Sequence, residues 1–572
     1  MAKTTKPKVE FTLYPKIENG EDHWYHNELS LGILKKKYLY ENETSVKQFI
    51  SRVASIFSTK ELRNSVAQMM ADGTFFPGGR SLYGIGSKGI FNATTSNCYI
   101  MPSPEDSLDS IYESNKQVAK IFKSGGGIGI DLSTLRPNGS KTNNAARTST
   151  GAVSFMHIYN STGSIIGFHG RRGATLIGLR VSHPDIEEFI DLRNDHDMKA
   201  MNISCIIDYD FMHAVTSNED YLLHFTVEAT GEKIEKTVNA RKLFHHICEM
   251  NWDYGDPGML FKDAVDGNNL QSMNSKFKID ICNPCAEYTG PAYNSCNLGS
   301  LNLYNFVDHK FSKNASFNFK EFRKAVHIAV SALDEILDYG YDLQPLDQNR
   351  EIIDKWRAIG LGFFGFADAS IALQIKYGTD ESVEFALKVC ECLMTSAIEQ
   401  SSILAKEKSC FGEIDIPALL QSPFLEELKK TNKPIYEMVK KNGMRNAQLI
   451  SIAPTGSLAL LAGSLSSGIE PIYKCNYERT THGLEDSKVH FTVADKAIKD
   501  LLRFHQIDPT SISANEIKAR FPFVVEASDI DPMDRVEIQA AMQSCIDNAI
   551  SSTVNLPEEA TVEDIENIYL TA

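Results

Sequence analysis

Three cysteines stand in settings that suit one reaction: Cys98 in TTSNCYIMP, Cys285 in NPCAE and Cys296 in NSCNLGSLNL. Cys285 lies two residues after Asn283 and two before Glu287. If the segment is extended, alternate positions share one face. That face would offer a hydrogen-atom abstractor, a general base and an orienting amide together. Cys98 and Cys296 could form a redox pair across the same pocket, since two proximal thiols deliver two electrons and end as a disulfide. A free cysteine is more often a small buried hydrophobe. Asn283 and Glu287 shift that balance for Cys285, because a glutamate in an apolar stretch needs a reason to be there. Cys98 and Cys296 are 198 residues apart, and spacing alone leaves them as two separate buried thiols.

Other motifs are weighed the same way. Cys282 and Cys285 form C-x-x-C, but no second ligand pair follows at finger-like spacing, so no zinc site is expected. The histidines, His183 in SHPDIEEF among them, lack metal-ligand spacing and read as structural. Gly125-Gly126-Gly127-Ile128-Gly129 follows a helical pattern and precedes a β-like run, the wrong order for a dinucleotide fingerprint. Those glycines can still admit a close backbone approach to a sugar or phosphate. Gln448–Ala453 followed by Pro454-Thr455-Gly456-Ser457 reads as strand, tight turn and helix-like run. Hydroxyls and N–H groups at such a turn make either a phosphate cradle or an ordinary cap. Phe168-His169-Gly170-Arg171-Arg172-Gly173-Ala174 is a basic loop that either bridges two nucleotide sites or is simply solvated.

The elements that must position these groups follow from periodicity. Residues 1–28 form a polar N-terminal extension. Val46, Phe49, Ile50, Val53, Ile56 and Phe57 fall on one helical face behind a Ser45 cap, and residues 29–73 read as a small helical domain. From residue 74 short β-like runs (Ser96–Met101, Thr175–Val181, Gln448–Ala453) alternate with helical patterns (Leu108–Phe122, Phe319–Tyr339, Val383–Lys408). Alternation of this kind predicts an α/β architecture with parallel strands, so residues 74–572 read as one large domain. Thr561 opens a helix with Asp564 at capping-box spacing. Stopping within that helix predicts a C-terminally incomplete domain.

Bulk properties narrow the function classes. A net charge of −16 over 572 residues argues against a basic stripe for polymeric DNA or RNA, while a few local cations and N–H groups still suffice for mononucleotides. The basic start has no apolar stretch behind it, and no segment has the length of a membrane span. Eleven cysteines without a leader point to reduced thiols in the cytoplasm.

Taken in order, PGGR (77–80), NCYIMPSPEDSLDSI (97–111), KSGGGIGIDLSTLRPNGS (123–140), STGAVSFM (149–156) and RRGATLIGLRVSHPDIEEFI (171–190) resemble the catalytic subunit of ribonucleotide reductases. So do NPCAE (283–287), SCNLGSLNL (295–303), RAIGLGFFGFAD (357–368), APTGS (453–457), SSGIEP (466–471) and DNAISSTVNLP (547–557). The resemblance runs from about Leu29 to Ala572.

It implies a ten-stranded α/β barrel with a finger loop through its centre, here without its last strand. Cys285 would be the thiyl site at the finger tip. Glu287 would take the 3′-hydroxyl proton and Asn283 would position the ribose hydroxyls. Cys98 and Cys296 would reduce the 2′ position and end as a disulfide. Ser81, Asn97 and Gly127 would line the ribose, and Pro454, Thr455, Gly456, Ser457 and Leu458 would hold the phosphates. Asp106, Arg136 and Arg147 match an effector site at a dimer interface, with Arg171 and Arg172 reporting effector identity to the substrate base. The short N-terminus lacks the ATP-sensing domain of many relatives, so no ATP/dATP on–off switch is expected there.

SSGIEP, RRGA and NSCNLGSLNL look most like the adenosylcobalamin-dependent class. The alternative is the aerobic class, whose radical comes from a di-metal cofactor in a small subunit. A further alternative is an incomplete subunit that binds nucleotides and is inactive without a partner chain. The implied substrate is a ribonucleoside diphosphate. The implied partners are dNTP or ATP effectors, a thioredoxin- or glutaredoxin-type reductant, a second copy in a homodimer, and a small subunit or complementing C-terminal polypeptide. Neither a nucleic-acid polymer nor a membrane is implied.

Overall fold

The computed structural model describes residues 7–16, 23–142, 144–168, 171–194, 198, 201–482 and 488–572. Three capped helices build the N-terminal unit: α1 (Glu28–Lys37), α2 (Val46–Ala54) and α3 (Lys60–Ala71). Asn27, Ser45 and Thr59 each accept a backbone N–H of the first turn through the side chain, which satisfies donors a helix start leaves open. Phe49, Ile50 and Val53 of α2 are fully buried, as the apolar face read from the sequence requires.

The preceding stretch is anchored to this unit. Trp24 is buried and its indole N–H donates to Met70 O at 2.9 Å. The backbone N–H groups of Glu10 and Thr12 donate to Asn64 Oδ1 and Gln68 Oε1 on α3. A short strand, β1 (Phe75–Pro77), leads out of the unit.

Two half-barrels follow. In the first, β2 (Cys98–Ile100), β3 (Gly127–Asp131), β4 (Thr175–Arg180), β5 (Asn202–Ile207) and β6 (Gly258–Phe261) run parallel side by side in that order. Helical crossovers such as α4 (Leu108–Lys123) and α5 (Ala240–Tyr254) connect them, as parallel strands require. Ile128, Ile130, Ile177, Ile203, Phe189 and Phe244 pack between this sheet and its helices.

A two-stranded hairpin, β7 (Ile281–Cys282) with β8 (Thr289–Gly290), comes next. The chain then runs almost straight through β9 (Ser295–Cys296) into β10 (Leu298–Asn302). β9 lies antiparallel on β2. β10 pairs in parallel with β11 (Gly360–Phe364), reached through the long helix α6 (Phe319–Gly340), and carries β1 antiparallel on its other side. Beyond β11, parallel bridges join Leu361 to Ile450 and Ile452 to Ile550. The described halves therefore hold five and four parallel strand segments, oppositely directed and joined at β2–β9.

The second half and the helical unit share one apolar core, in which Phe49, Val66, Phe75, Leu301, Leu333 and Phe363 belong to a single cluster. A six-residue helix, α7 (Gly456–Leu461), follows the 450–452 segment. The last helix, α8 (Val562–Thr571), has the Thr561–Asp564 capping box and docks on α5, where Glu566 receives Arg241 and His245. No described helix is long and apolar enough to cross a membrane.

Candidate functional site

Small residues in β3 and β4 make the centre of the barrel accessible to the hairpin. A Cβ on Gly129 would stand 1.9 Å from Cys282 O, one on Gly127 3.3 Å from Pro284 Cγ, and one on Gly178 2.6 Å from Ile281 Cδ1. Gly129 thus admits the backbone of the chain's own hairpin, and Gly127 and Gly178 admit its side chains.

The hairpin tip carries Asn283, Cys285 and Glu287, but not on an extended strand as the alternation suggested. Asn283 N donates to Tyr288 O at 2.9 Å and Tyr288 N to Asn283 Oδ1 at 3.1 Å, closing a tight turn. Pro284 stiffens the turn, and Ala286 adopts a left-handed φ of 62°. The turn leaves Cys285 exposed at the tip and Glu287 buried beside it.

Below the tip, β9 lies on β2 with Cys296 directly opposite Cys98. Both thiols are buried. Gly127 is the parallel neighbour of Cys98 on the other side. The two halves of the barrel thus meet at a small cluster that includes Cys98, Cys296, Cys282, Tyr288 and Leu298.

A cavity of about 490 Å³ opens over this cluster. Asn97, Cys98, Cys285 and Glu287 line it together with Pro454, Thr455, Gly456, Ser457 and Leu458. Thr455 has a left-handed φ of 45°, and its hydroxyl accepts the N–H of Gly468 at 2.9 Å. A Cβ on Gly456 would meet nothing within 4 Å. Ser81 lies elsewhere: it is buried and donates to Thr95 O at 2.9 Å.

Three buried polar atoms of the site lack a hydrogen-bond partner: Asn97 Oδ1, Asn283 Nδ2 and Glu287 Oε2. Such orphans are costly unless a ligand satisfies them. Asn97 and Glu287 line the cavity, and their two open acceptors match a ligand that carries hydroxyl groups.

Burial sets the electrostatics. It raises the Glu287 carboxyl to about 7, with the Asn283 amide pulling weakly the other way. Burial and then the Glu287 charge push the Cys98 thiol up to about 12. The same two causes hold Cys296 well above the ordinary thiol value, and Cys285, open to the cavity but crowded by the surrounding barrel and Glu287, is raised in the same direction. The thiols therefore keep their hydrogens at neutral pH, while Glu287 exchanges its proton there.

Contacts from the 448–451 and 547–549 segments fix the tip. Ser451 Oγ and Ala549 N both donate to Glu287 O, at 2.7 and 3.1 Å. Gln448 accepts from the Tyr288 hydroxyl at 3.2 Å and donates to Thr289 O at 2.8 Å and Asn548 Oδ1 at 2.7 Å. Asp547-Asn548-Ala549 opens the 547–557 motif quoted above, and its polar residues needed partners once buried. Sequence reasoning missed Lys36, Lys37 and Arg80 on the cavity wall.

Of the residues assigned to an effector site, Asp106 and Arg136 meet beyond the C-terminal ends of β2 and β3, whereas Arg171 and Arg172 precede the N-terminal end of β4. Arg136 Nε donates to Asp106 Oδ2 at 2.7 Å, and Arg136 N to Asp106 Oδ1 at 3.2 Å. Arg147 is exposed in a hairpin-like loop closed by the Lys141–Thr148 bridge. Arg171 and Arg172 form a short strand paired with Gly167–Phe168, and their side chains lie outside the described residues. His183 is buried, with its ring between Leu135 O and Asp185 N.

The arrangement is a barrel with a thiol-tipped hairpin set above a pair of opposed thiols. A family model described as "Ribonucleotide reductase, barrel domain" matches residues 96–572, and the chain belongs to that family. It is 32% identical over 490 residues to a vitamin B12-dependent ribonucleoside-diphosphate reductase of Mycobacterium tuberculosis, covering 83% of this chain and 66% of the relative. It is 33% identical over 523 residues to the enzyme of the same name from Thermoplasma acidophilum, covering 88% and 63%. The chain thus spans slightly less than two thirds of the length of these relatives. The solved alpha subunit of the class Id ribonucleotide reductase of Actinobacillus ureae shares the fold, with a TM-score of 0.74 at 20% identity over 96% of this chain and 94% of that one.

Proposed function

We propose that the chain is the catalytic part of a ribonucleoside-diphosphate reductase whose radical comes from adenosylcobalamin. The observation that carries this reading is the cavity that holds Cys285, Glu287 and Cys98, with Cys296 behind, and three orphaned polar atoms beside them. The names of the M. tuberculosis and T. acidophilum relatives support the cofactor.

The residues present fit that cofactor. Cys285 is exposed at the hairpin tip, so its thiol can be reached from the cavity mouth. Exposed Pro454 and half-buried Tyr83 line the same cavity and offer faces on which a ring system can rest. When bound, adenosylcobalamin supplies a carbon radical able to take a thiol hydrogen atom.

The chain's own groups account for the rest of the reduction. Asn97 Oδ1 and Asn283 Nδ2 would orient the ribose hydroxyls. Cys285, once its hydrogen is removed, would take the hydrogen atom from C3′ and later return it. Glu287, raised to about 7, would accept the 3′-hydroxyl proton. The 2′-hydroxyl would leave as water on protonation by the thiol pair. Cys98 and Cys296 would provide two electrons and form one S–S bond, which an external dithiol of the thioredoxin or glutaredoxin type must reduce again. The Thr455–Ser457 turn would hold the diphosphate. Asp106, Arg136, Arg147, Arg171 and Arg172 would serve a nucleotide effector site in a homodimer.

The test is anaerobic reduction of CDP and ADP with dithiothreitol, an effector dNTP and adenosylcobalamin. Deoxynucleotide that depends on cobalamin and disappears in Cys285→Ala is the expected result. Product that instead requires an added metallocofactor subunit would move the chain to the aerobic class. No product under either condition would overturn the assignment of activity to this chain.

A further inference from the structure

The cavity wall includes residues from outside the barrel. The last turn of α1 carries Lys35, Lys36 and Lys37, and the second and third of these line the cavity. The Lys37 ammonium donates to Ser457 Oγ at 2.6 Å. Ser457 belongs to the Thr455–Ser457 turn, which lines the cavity as Cys285 does. Arg80, from the short helix Gly79–Gly84 that follows β1, lines the same wall, and its charge reaches Cys98.

The seating of α1 does not depend on Lys37. The opposite end of the helix is anchored: Ser30 Oγ donates to Leu460 O at 3.1 Å, and Leu29 packs on Leu460. The helix axis thus lies along α7 and delivers its C-terminal turn over the Thr455–Ser457 turn. Lys37 is half-buried there, whereas Lys35 and Lys36 are exposed.

We propose that Lys37 is a substrate-binding residue that, together with Ser457, grips the terminal phosphate of a nucleoside diphosphate. The proposal rests on the reductase reading of the cavity and adds that the N-terminal helical unit reads the phosphate chain. The chemistry is direct. The Lys37 ammonium brings a full positive charge to the turn, where Ser457 receives it. A hydroxyl that accepts from Lys37 turns its own hydrogen outward, so ammonium and hydroxyl both face an anion placed between them. A charge-assisted contact of this kind, partly removed from water, is stronger than one made by a surface lysine. The α-phosphate, nearer the ribose, would remain with the backbone of the turn. Lys37 therefore distinguishes a diphosphate from a monophosphate, and leaves the nucleoside end untouched.

The experiment is equilibrium binding of CDP, CMP and cytidine to the intact chain, comparing wild type, Lys37→Met, Lys37→Arg and Lys35→Met. Loss of one charge-assisted contact predicts about ten- to hundredfold weaker CDP binding in Lys37→Met. CMP should change far less and cytidine not at all. Lys37→Arg should keep CDP affinity within a few-fold, and Lys35→Met should behave as wild type. Thermal melting monitors the fold. Equal losses for all three ligands, or an unchanged CDP affinity in Lys37→Met, would overturn the role of Lys37 alone. A wild-type chain that binds CDP no better than cytidine would overturn the nucleotide reading itself.

Discussion

Cys98 and Cys296 stand directly opposite one another across an antiparallel strand pair that joins the two halves of the barrel. Directly opposed side chains share a face with Cβ atoms about 4.5–5.5 Å apart. A disulfide needs about 3.5–4.5 Å, so a small adjustment of the two strands would close the bond. Both thiols sit far above neutral pH, Cys98 at about 12, and thiolate is the species that exchanges. Air should therefore oxidise the pair slowly, and turnover quickly. Peptide mapping after a single anaerobic turnover should recover a Cys98–Cys296 disulfide, and Cys98→Ser should abolish it. Recovery of a different pair, such as Cys282–Cys285, would sink the assignment. Bridging a loop of this length would also stabilise the chain by about 5 kcal/mol in the chain-entropy picture, visible as a higher denaturant midpoint for the oxidised form.

Glu287 predicts the pH dependence of any turnover. Its folded value of about 7 lies above the ordinary carboxylate range because the side chain is buried. The ionised form is the base, so kcat should rise with pH through a single ionisation near 7. Glu287→Gln should lower kcat by about 10²- to 10⁴-fold, as loss of a general base does, and remove that limb. The stability consequence has the opposite sign. A carboxyl whose folded value is raised contributes stability below its unfolded value, lost as pH rises through 7. The wild type should thus lose ground against Glu287→Gln between about pH 4 and 7. An unchanged pH–rate limb in the variant would remove Glu287 from the role.

How much of this was legible in the sequence varies by element. The caps Ser45 and Thr561 and the apolar face of α2 were readable, because local side-chain chemistry decides them. The Thr175 strand was found to within one residue, and the Ser96–Met101 run contains the shorter strand Cys98–Ile100. The Gln448–Ala453 run forms only bridges at Ile450 and Ile452, since Leu449 and Ile450 give their N–H groups to Asp547 instead. At the site, residue types named Cys285 and Glu287, but the alternation argument assumed a strand where Pro284 and Ala286 make a turn. The Cys98–Cys296 register joins segments 198 residues apart, which no local pattern encodes. Lys37 was invisible because a basic last turn is what a helix C-terminus ordinarily favours; only the docking of α1 on α7 turns it toward the cavity.

Gly129 predicts a steric failure of the finger. An added Cβ would stand 1.9 Å from the carbonyl oxygen of Cys282, and backbone cannot yield as a flexible side chain can. Gly129→Ala should therefore push the hairpin out of the barrel centre and abolish turnover. The stability loss should reach or exceed the upper end of the about 1–3 kcal/mol typical of overpacking. Limited proteolysis should cut the 283–288 turn faster in the variant. Gly456→Ala is the matched control for folding, since a Cβ there meets nothing within 4 Å and the melting temperature should not change. A Gly129→Ala chain that melts as wild type and resists protease would show that the hairpin does not thread as described.

Asp547 predicts how firmly the finger is held from behind. Its two carboxylate oxygens accept the N–H groups of Leu449 and Ile450 at 2.9 and 2.7 Å, and burial raises the group to about 7. The same segment gives Ala549 N to Glu287 O, and Asn548 meets Gln448. Asp547→Asn replaces one acceptor with an NH₂ that faces an N–H, leaving a buried donor unmet at a cost of about 1–3 kcal/mol. Because the wild-type carboxyl loses stability as pH rises through 7, the gap between wild type and variant should be widest near pH 5 and narrow toward pH 8. Denaturant midpoints across that range test the sign. If the finger depends on this clasp, Asp547→Asn should also lower kcat while leaving the binding of CDP unchanged, because the displaced group is the backbone of Glu287 and not the phosphate turn. A variant with wild-type stability and kcat would reduce Asp547 to an ordinary buried carboxyl.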